Sequence, residues 1–324
     1  MNYGELIKDS FRLTLRNRYL WFFGFFAAGV GANFGSNIPT SFPGDPQDFE
    51  NFDPGSLTIS PALIAQGGPG GGTVALVAAL VVMALLLVLL LIALSLLSRA
   101  ALVECAAAID RGEQRRFTSA WRAGMDGMWR VLGLGILFFL LGIGLFIALA
   151  LPAGLGIAIV FLATQSVAAR VLVTVAISLV ALALFAVVFI PYAIIGQLAM
   201  RRMLLASDGI AGCIGGGYRL FRRNIGSSLL VWLIRLALMF GLGIALLLAA
   251  AIVGLILFLP TIALVFAELT TAAIIAGVIA GVILLALFFV ASGALGTFGS
   301  AYWTLAYLRL QGPETEAAPE PSGV

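Results

Sequence analysis

The chain of 324 residues contains no histidine, one lysine and two cysteines, and only 10% of it is charged. Each shortage removes a class of function. Without histidine, the commonest general acid/base and metal ligand is missing. Cys105 and Cys213 form no CxxC pair, so their expected role is small apolar packing rather than metal or redox chemistry. No HExxH, Ser-x-x-Lys or paired in-span aspartates occur, and Gly215-Gly216-Gly217 lacks the Lys-Ser/Thr of a phosphate-binding loop. The acidic residues Asp45, Asp48, Glu50 and Asp53 lack the fixed spacing of a Ca²⁺ loop. A non-enzymatic protein with no cofactor and no metal is expected.

What the chain has instead is apolar length. It is 62% apolar with a mean hydropathy of +1.12. The runs 73–97, 131–162, 171–200, 228–267 and 269–308 each reach the ~20 residues that cross a ~30 Å hydrocarbon core. Lipid leaves no backbone group for water to satisfy, and continuous rather than alternating apolar character selects helices over a barrel. The fold class expected is all-α, an integral membrane helical bundle. Tyr19–Ala32 supplies a further, first span. It resembles a signal peptide in outline, but the basic segment before it matches two later copies, which argues for retention.

The net charge of +3 does not point to nucleic acid, because of where the charges sit. Arginines cluster beside spans, at Arg12, Arg16 and Arg18, then Arg99 to Arg130, then Arg201 to Arg223. Segment 34–72 has no basic residue, and segments 163–170 and 260–270 have only Arg170 between them. By the positive-inside rule both termini face the cytoplasm, with six crossings. Arginine outnumbers lysine seventeen to one in an Ala/Gly/Leu-rich chain, a composition that suggests a GC-rich bacterial genome. The expected location is a bacterial plasma membrane, with anionic lipid headgroups as partners and no protein partner specified.

Three short lead-in segments precede long apolar runs: Ile7-x-x-x-Phe11-Arg12, Phe117-x-x-x-Trp121-Arg122 and Ile214-x-x-x-Tyr218-Arg219. The first and third continue at equal offsets with Arg16-Asn17 and Arg223-Asn224, whereas the second has Asp126-Gly127. The units run 1–112 (with an exterior Gly/Pro-rich loop at 34–72), 113–209 and 210–312, and 313–324 reads as a disordered tail. Three hairpin repeats with interfacial amphipathic lead-in helices follow. The glycines that close the units suit left-handed helix ends. Pro152 and Pro260 each lie in an unusually long run, where helix breaks or kinks are expected.

Arg235 stands apart. It lies about ten residues, roughly 15 Å, into its run, where a charge costs about 2.5–3.5 kcal/mol on insertion scales. It either snorkels to the headgroups or contacts an anion, lipid or substrate.

The lead-in Phe11-Arg12-Leu13-x-x-Arg16-Asn17-x-x-Leu20-Trp21, its copy Tyr218-Arg219-Leu220-x-x-Arg223-Asn224, and the six-span layout resemble a loose family of bacterial membrane proteins. These are similar to the membrane domain fused to some glycerophosphodiester phosphodiesterases. The hydrolytic domain is absent, so no catalytic residue carries over. The resemblance implies a membrane module near lipid metabolism or envelope biogenesis. Two functions are expected from it and from the residues: a lipid-interacting or scaffolding module, or a small secondary transporter or permease-like protein.

Overall fold

The computed structural model describes residues 2–29, 71–206 and 209–312. The exterior loop up to residue 70, with its acidic residues, and the tail 313–324 lie outside the described residues. So do Asp208 and the end of the first predicted span.

All regular elements among the described residues are helices: α1 (Tyr3–Arg16), α2 (Leu20–Gly29), α3 (Gly71–Asp110), α4 (Phe117–Ala163), α5 (Val167–Ala206), α6 (Ile210–Arg223), α7 (Ile225–Phe266) and α8 (Thr270–Gln311). Five of these, α3, α4, α5, α7 and α8, are long and apolar enough to cross a membrane. They run 40–47 residues, or about 60–70 Å, roughly twice the hydrocarbon thickness. The architecture is that of a multi-pass helical membrane protein.

Helix ends follow local chemistry. Beyond α3, the Gly112 N–H donates to Ile109 O at 2.9 Å and the Glu113 N–H to Ala108 O at 3.0 Å. Gly112 sits at φ +83°, the left-handed residue such a Schellman end requires. Gly312 closes α8 at φ +73°. Gly209 departs from the expected pattern, being extended (φ −65°) and opening α6 instead. Glu268, between α7 and α8, is the one non-glycine residue at positive φ among the described residues. Arg170 caps the end of α4 across a turn, donating to Thr164 O at 2.6 Å and Phe161 O at 3.1 Å.

The prolines do not break their helices. α4 runs through Pro152 to Ala163 and α7 through Pro260 to Phe266, while α5 holds a third, Pro191. In an apolar setting, ending a helix would strand several backbone groups, whereas continuing past proline loses one bond that neighbouring structure can absorb.

The asparagines separate lead-in helix from span. Asn17 Nδ2 donates to Leu13 O at 3.0 Å and Asn224 Nδ2 to Leu220 O at 3.3 Å, each backing up a backbone bond to the same carbonyl. α1 and α6 stop there, both after 14 residues. In the second copy no such cap exists, and helix α4 passes from lead-in to span without interruption.

Packing is concentrated at one end, where α3, α5 and α8 finish and α4 and α7 begin. α1 lies on α8, the start of α4 on α3, and α6 on α5. Their contact faces carry small residues: Ser10, Ala120 and Gly217, each directly before an aromatic-Arg pair, are all buried. A Cβ at Gly124 would lie 2.7 Å from Leu97 O, so small side chains set the approach. α2 meets α8 so closely that Gly24 faces the Gly293 carbonyl and Gly293 the Trp21 carbonyl, and Thr297 Oγ1 donates to Leu20 O at 2.9 Å. α8 is buried without interruption from Ala301 to Tyr307, while α3 is exposed at every residue from 78 to 90.

Candidate functional site

Arg235 turns inward. Its guanidinium lies 6.0 Å from the centre of the Trp303 ring, and that of Arg201, from α5, lies 5.7 Å from the same ring. Such contacts are worth about 0.5–2 kcal/mol each, less than the several kcal/mol that burying each cation costs. Arg201 is 2% exposed and Trp303 1%. Arg201 reaches back one turn, donating from Nη1 to Gln197 O at 2.8 Å and Gln197 Oε1 at 2.7 Å. Its Nε, the Nε of Arg235 and the indole Nε1 of Trp303 are buried donors with no hydrogen-bond partner among the described residues.

These groups line a cavity of about 390 Å³ that α3, α5, α7 and α8 enclose, with Ala27 of α2 at its edge. The volume falls in the ~300–1,000 Å³ range of small-molecule sites. Arg99 of α3 is the third arginine in its wall. Among the described residues no carboxylate lines it. Arg201 and Arg235 converge on a cavity that no carboxylate lines among the described residues, and both, with Trp303, carry buried donors that have no hydrogen-bond partner there. That arrangement suits an anion.

The floor is held by backbone-directed bonds between helices. Tyr302 OH donates to Val231 O at 3.2 Å, tying α8 to α7 beside Trp232 and Trp303. Gly299 admits Met239, another lining residue, because a Cβ there would lie 2.6 Å from the Met239 methyl.

The lead-in residues do not join this site. Phe11, Trp121 and Tyr218 are exposed, as are Arg12, Arg16, Arg122, Arg219 and Arg223. Trp121 instead stacks with Phe117, at 6.3 Å between centroids, over the buried ring of Phe23. Cys105 and Cys213 are buried free thiols. No three His, Cys, Asp or Glu side chains converge among the described residues. Outside the spans, Arg115 and Arg111 hydrogen-bond to Glu113 and hold its carboxyl below the usual range.

Sequence reasoning singled out Arg235 and missed Arg201, Trp303 and Gln197 as its company. One signal was present: Gln197-x-x-x-Arg201 places two polar side chains on one face within an apolar run.

No curated protein and no solved structure matches the chain. A model described as "Family of unknown function (DUF7544)" matches residues 19–310, from the turn before α2 to the last turn of α8, so it embraces every arginine of the cavity. The chain belongs to that family.

Proposed function

We propose that the protein is a non-enzymatic, lipid-interacting module of a bacterial plasma membrane that holds an anionic ligand between its helices. The observation that carries this reading is the convergence of Arg201 and Arg235, with buried donors left without a hydrogen-bond partner, on one cavity that no carboxylate lines among the described residues. Intramembrane charges are costly enough that they usually mark a ligand path or partner.

The reading includes six crossings, with α2 as the start of the first, and three hairpin repeats whose lead-ins close a ring. Support comes from the packing: each lead-in lies on the last helix of the preceding unit, and α1 lies on the last helix of all. With both termini cytoplasmic, the exposed aromatic-Arg pairs would sit at the inner interface as depth anchors. The likeness to membrane domains of glycerophosphodiester phosphodiesterases fits a place near lipid metabolism. Scaffolding of a protein partner is the weaker form of this reading, since no surface feature names one.

The test is melting in nanodiscs of phosphatidylcholine with and without phosphatidylglycerol. Anionic lipid should raise the Tm of wild type and not that of Arg201→Gln. Equal melting of wild type in both lipids would remove the reading. A transporter or permease-like function has one favouring observation, a cavity part-way along four long helices. Anion flux into proteoliposomes that Arg235→Leu abolishes would establish it.

A further inference from the structure

A second, smaller cavity of about 90 Å³ adjoins the first and shares Arg99, Gln197 and Met200 with it. Its other walls are Leu96 of α3, Val131, Leu134 and Phe138 of α4, and Tyr192 of α5. Apart from the shared residues and the Tyr192 hydroxyl, it is apolar. That hydroxyl is turned away from ligand duty, because it donates to Phe138 O.

Direction matters more than volume. α3 and α5 both run toward the packed end, so Leu96 lies beyond Arg99, and Tyr192 beyond Gln197, on the side away from that end. α4 runs the opposite way, and Val131 to Phe138 climb with it. The slot therefore leaves the arginines and heads into the exposed apolar halves of the helices. A cationic chamber adjoining an apolar slot, in that order along the helix axes, has the polarity of a single lipid.

We infer that the ligand is a phosphate-bearing amphiphile, its phosphate against Arg201, Arg235 and the Trp303 indole N–H, and its upper acyl chain in the slot between α3, α4 and α5. This rests on the anion-site reading above. The planar guanidinium fork matches phosphate oxygens in pairs, and more than one such cation suits phosphate better than a carboxylate. The shared chemistry is a phosphate group, which a phospholipid headgroup or free phosphate would both supply. The slot is what separates them, since a free ion has no use for it.

Gly135 provides a clean probe. It lines the slot, and a Cβ added there meets nothing within 4 Å, so a leucine can be attached there without a clash at its Cβ and adds bulk at the slot wall. It also favours the helix, since glycine is a poor helix former. Delipidated full-length protein would be given dioleoylphosphatidylglycerol, or inorganic phosphate in a parallel series, and adducts counted by native mass spectrometry. Wild type should retain one lipid. Arg235→Leu and Gly135→Leu should each lower retention about tenfold, and Trp303→Phe, which removes the N–H together with one ring of the indole that Arg201 and Arg235 face, at least about three- to tenfold. The phosphate series should protect wild type and Gly135→Leu equally against thermal unfolding.

Retention by Gly135→Leu at the wild-type level, with loss in Arg235→Leu, would overturn the slot and leave the anion site standing. Protection by inorganic phosphate with no lipid adduct would replace the amphiphile by a free anion. Equal adducts in all four proteins would overturn both readings. Monodisperse elution and unchanged helicity of each variant distinguish lost binding from lost fold.

Discussion

Two apolar stretches of this protein behave in opposite ways. Residues 78–90 of α3 are exposed throughout, while Ala301–Tyr307 of α8 are enclosed on every side. The hydropathy of the whole helices does not separate them, since both helices are apolar enough to span a membrane. The residues of the stretches do. The α3 stretch is leucine, valine, alanine and methionine; the α8 stretch mixes Ala301, Leu305 and Ala306 with Tyr302, Trp303, Thr304 and Tyr307. Lipid tails are as apolar as leucine, so nothing drives leucine away from them. Small residues that allow close approach, and polar groups that bond across helices, drive protein onto protein instead. Hydropathy therefore reports which segments lie in the bilayer, and the small, aromatic and hydroxyl residues report which of them lie inside the protein.

This contrast can be broken most severely at α2 and α8. Gly24→Leu would drive its side chain into the Gly293 carbonyl and the backbone of Thr297. Neither can yield, and the expected result is no monodisperse protein by size exclusion. Next comes Arg201→Met. Exchanging a buried unbalanced cation for an apolar side chain of similar reach should stabilise the protein by about 1–4 kcal/mol in purely zwitterionic lipid, read as a higher Tm. The same variant should lose its response to anionic lipid, so that stability and binding move in opposite directions.

Asn17→Ala should cost about 1 kcal/mol through the lost bond to Leu13 O. Asp126→Asn, at the place of Arg16 and next to the Gly127 that matches Asn17 in the uninterrupted α4, should cost nothing measurable by the same melts. A pH effect is expected at the turn between α1 and α2. Burial, helped by Cys105 and opposed by Arg115, pushes the Tyr19 hydroxyl up to about 12. The unfolded phenol loses its proton near pH 10 while the folded one keeps it, so stability falls as pH rises from about 10 through 12. Tyr19→Phe should flatten that fall. Smallest of all is Leu182→Ala, in an α5 stretch where the leucine is 67% exposed. Its Tm should stay within experimental scatter, since lipid takes up the vacated space.

Much of this architecture was legible in the residues. Long apolar runs announced helices. The three lead-ins read alike, and only the structure shows that the Arg-Asn pairs are where α1 and α6 end, while the lead-in with Asp126-Gly127 runs on into its span. At Pro152 and Pro260 the sequence predicts a break or kink, and the helices run on through both without a break. In water solvent satisfies the ends of a broken helix; in an apolar setting that relief is missing, and continuity wins. The cavity was half legible: Arg235 was conspicuous by depth alone. Arg201 and Trp303, 34 and 68 residues away on other helices, become its neighbours only once α5, α7 and α8 are packed. No local pattern encodes such a meeting, although the Gln197–Arg201 spacing hinted that α5 had something to face.

The contact between Gly24 and Gly293 also sets a schedule. α2 leaves the ribosome about 270 residues ahead of the part of α8 against which it nests. At ~5–20 residues per second that is a wait of roughly 15–50 s. Asp9 must wait as long for its ion-pair partner Arg309. During that interval the opening segment has its glycine face uncovered, and the insertion machinery or a chaperone in the bilayer has to shelter it. Truncation anywhere before α8 should therefore leave the glycine face of α2 uncovered as well as the cut end.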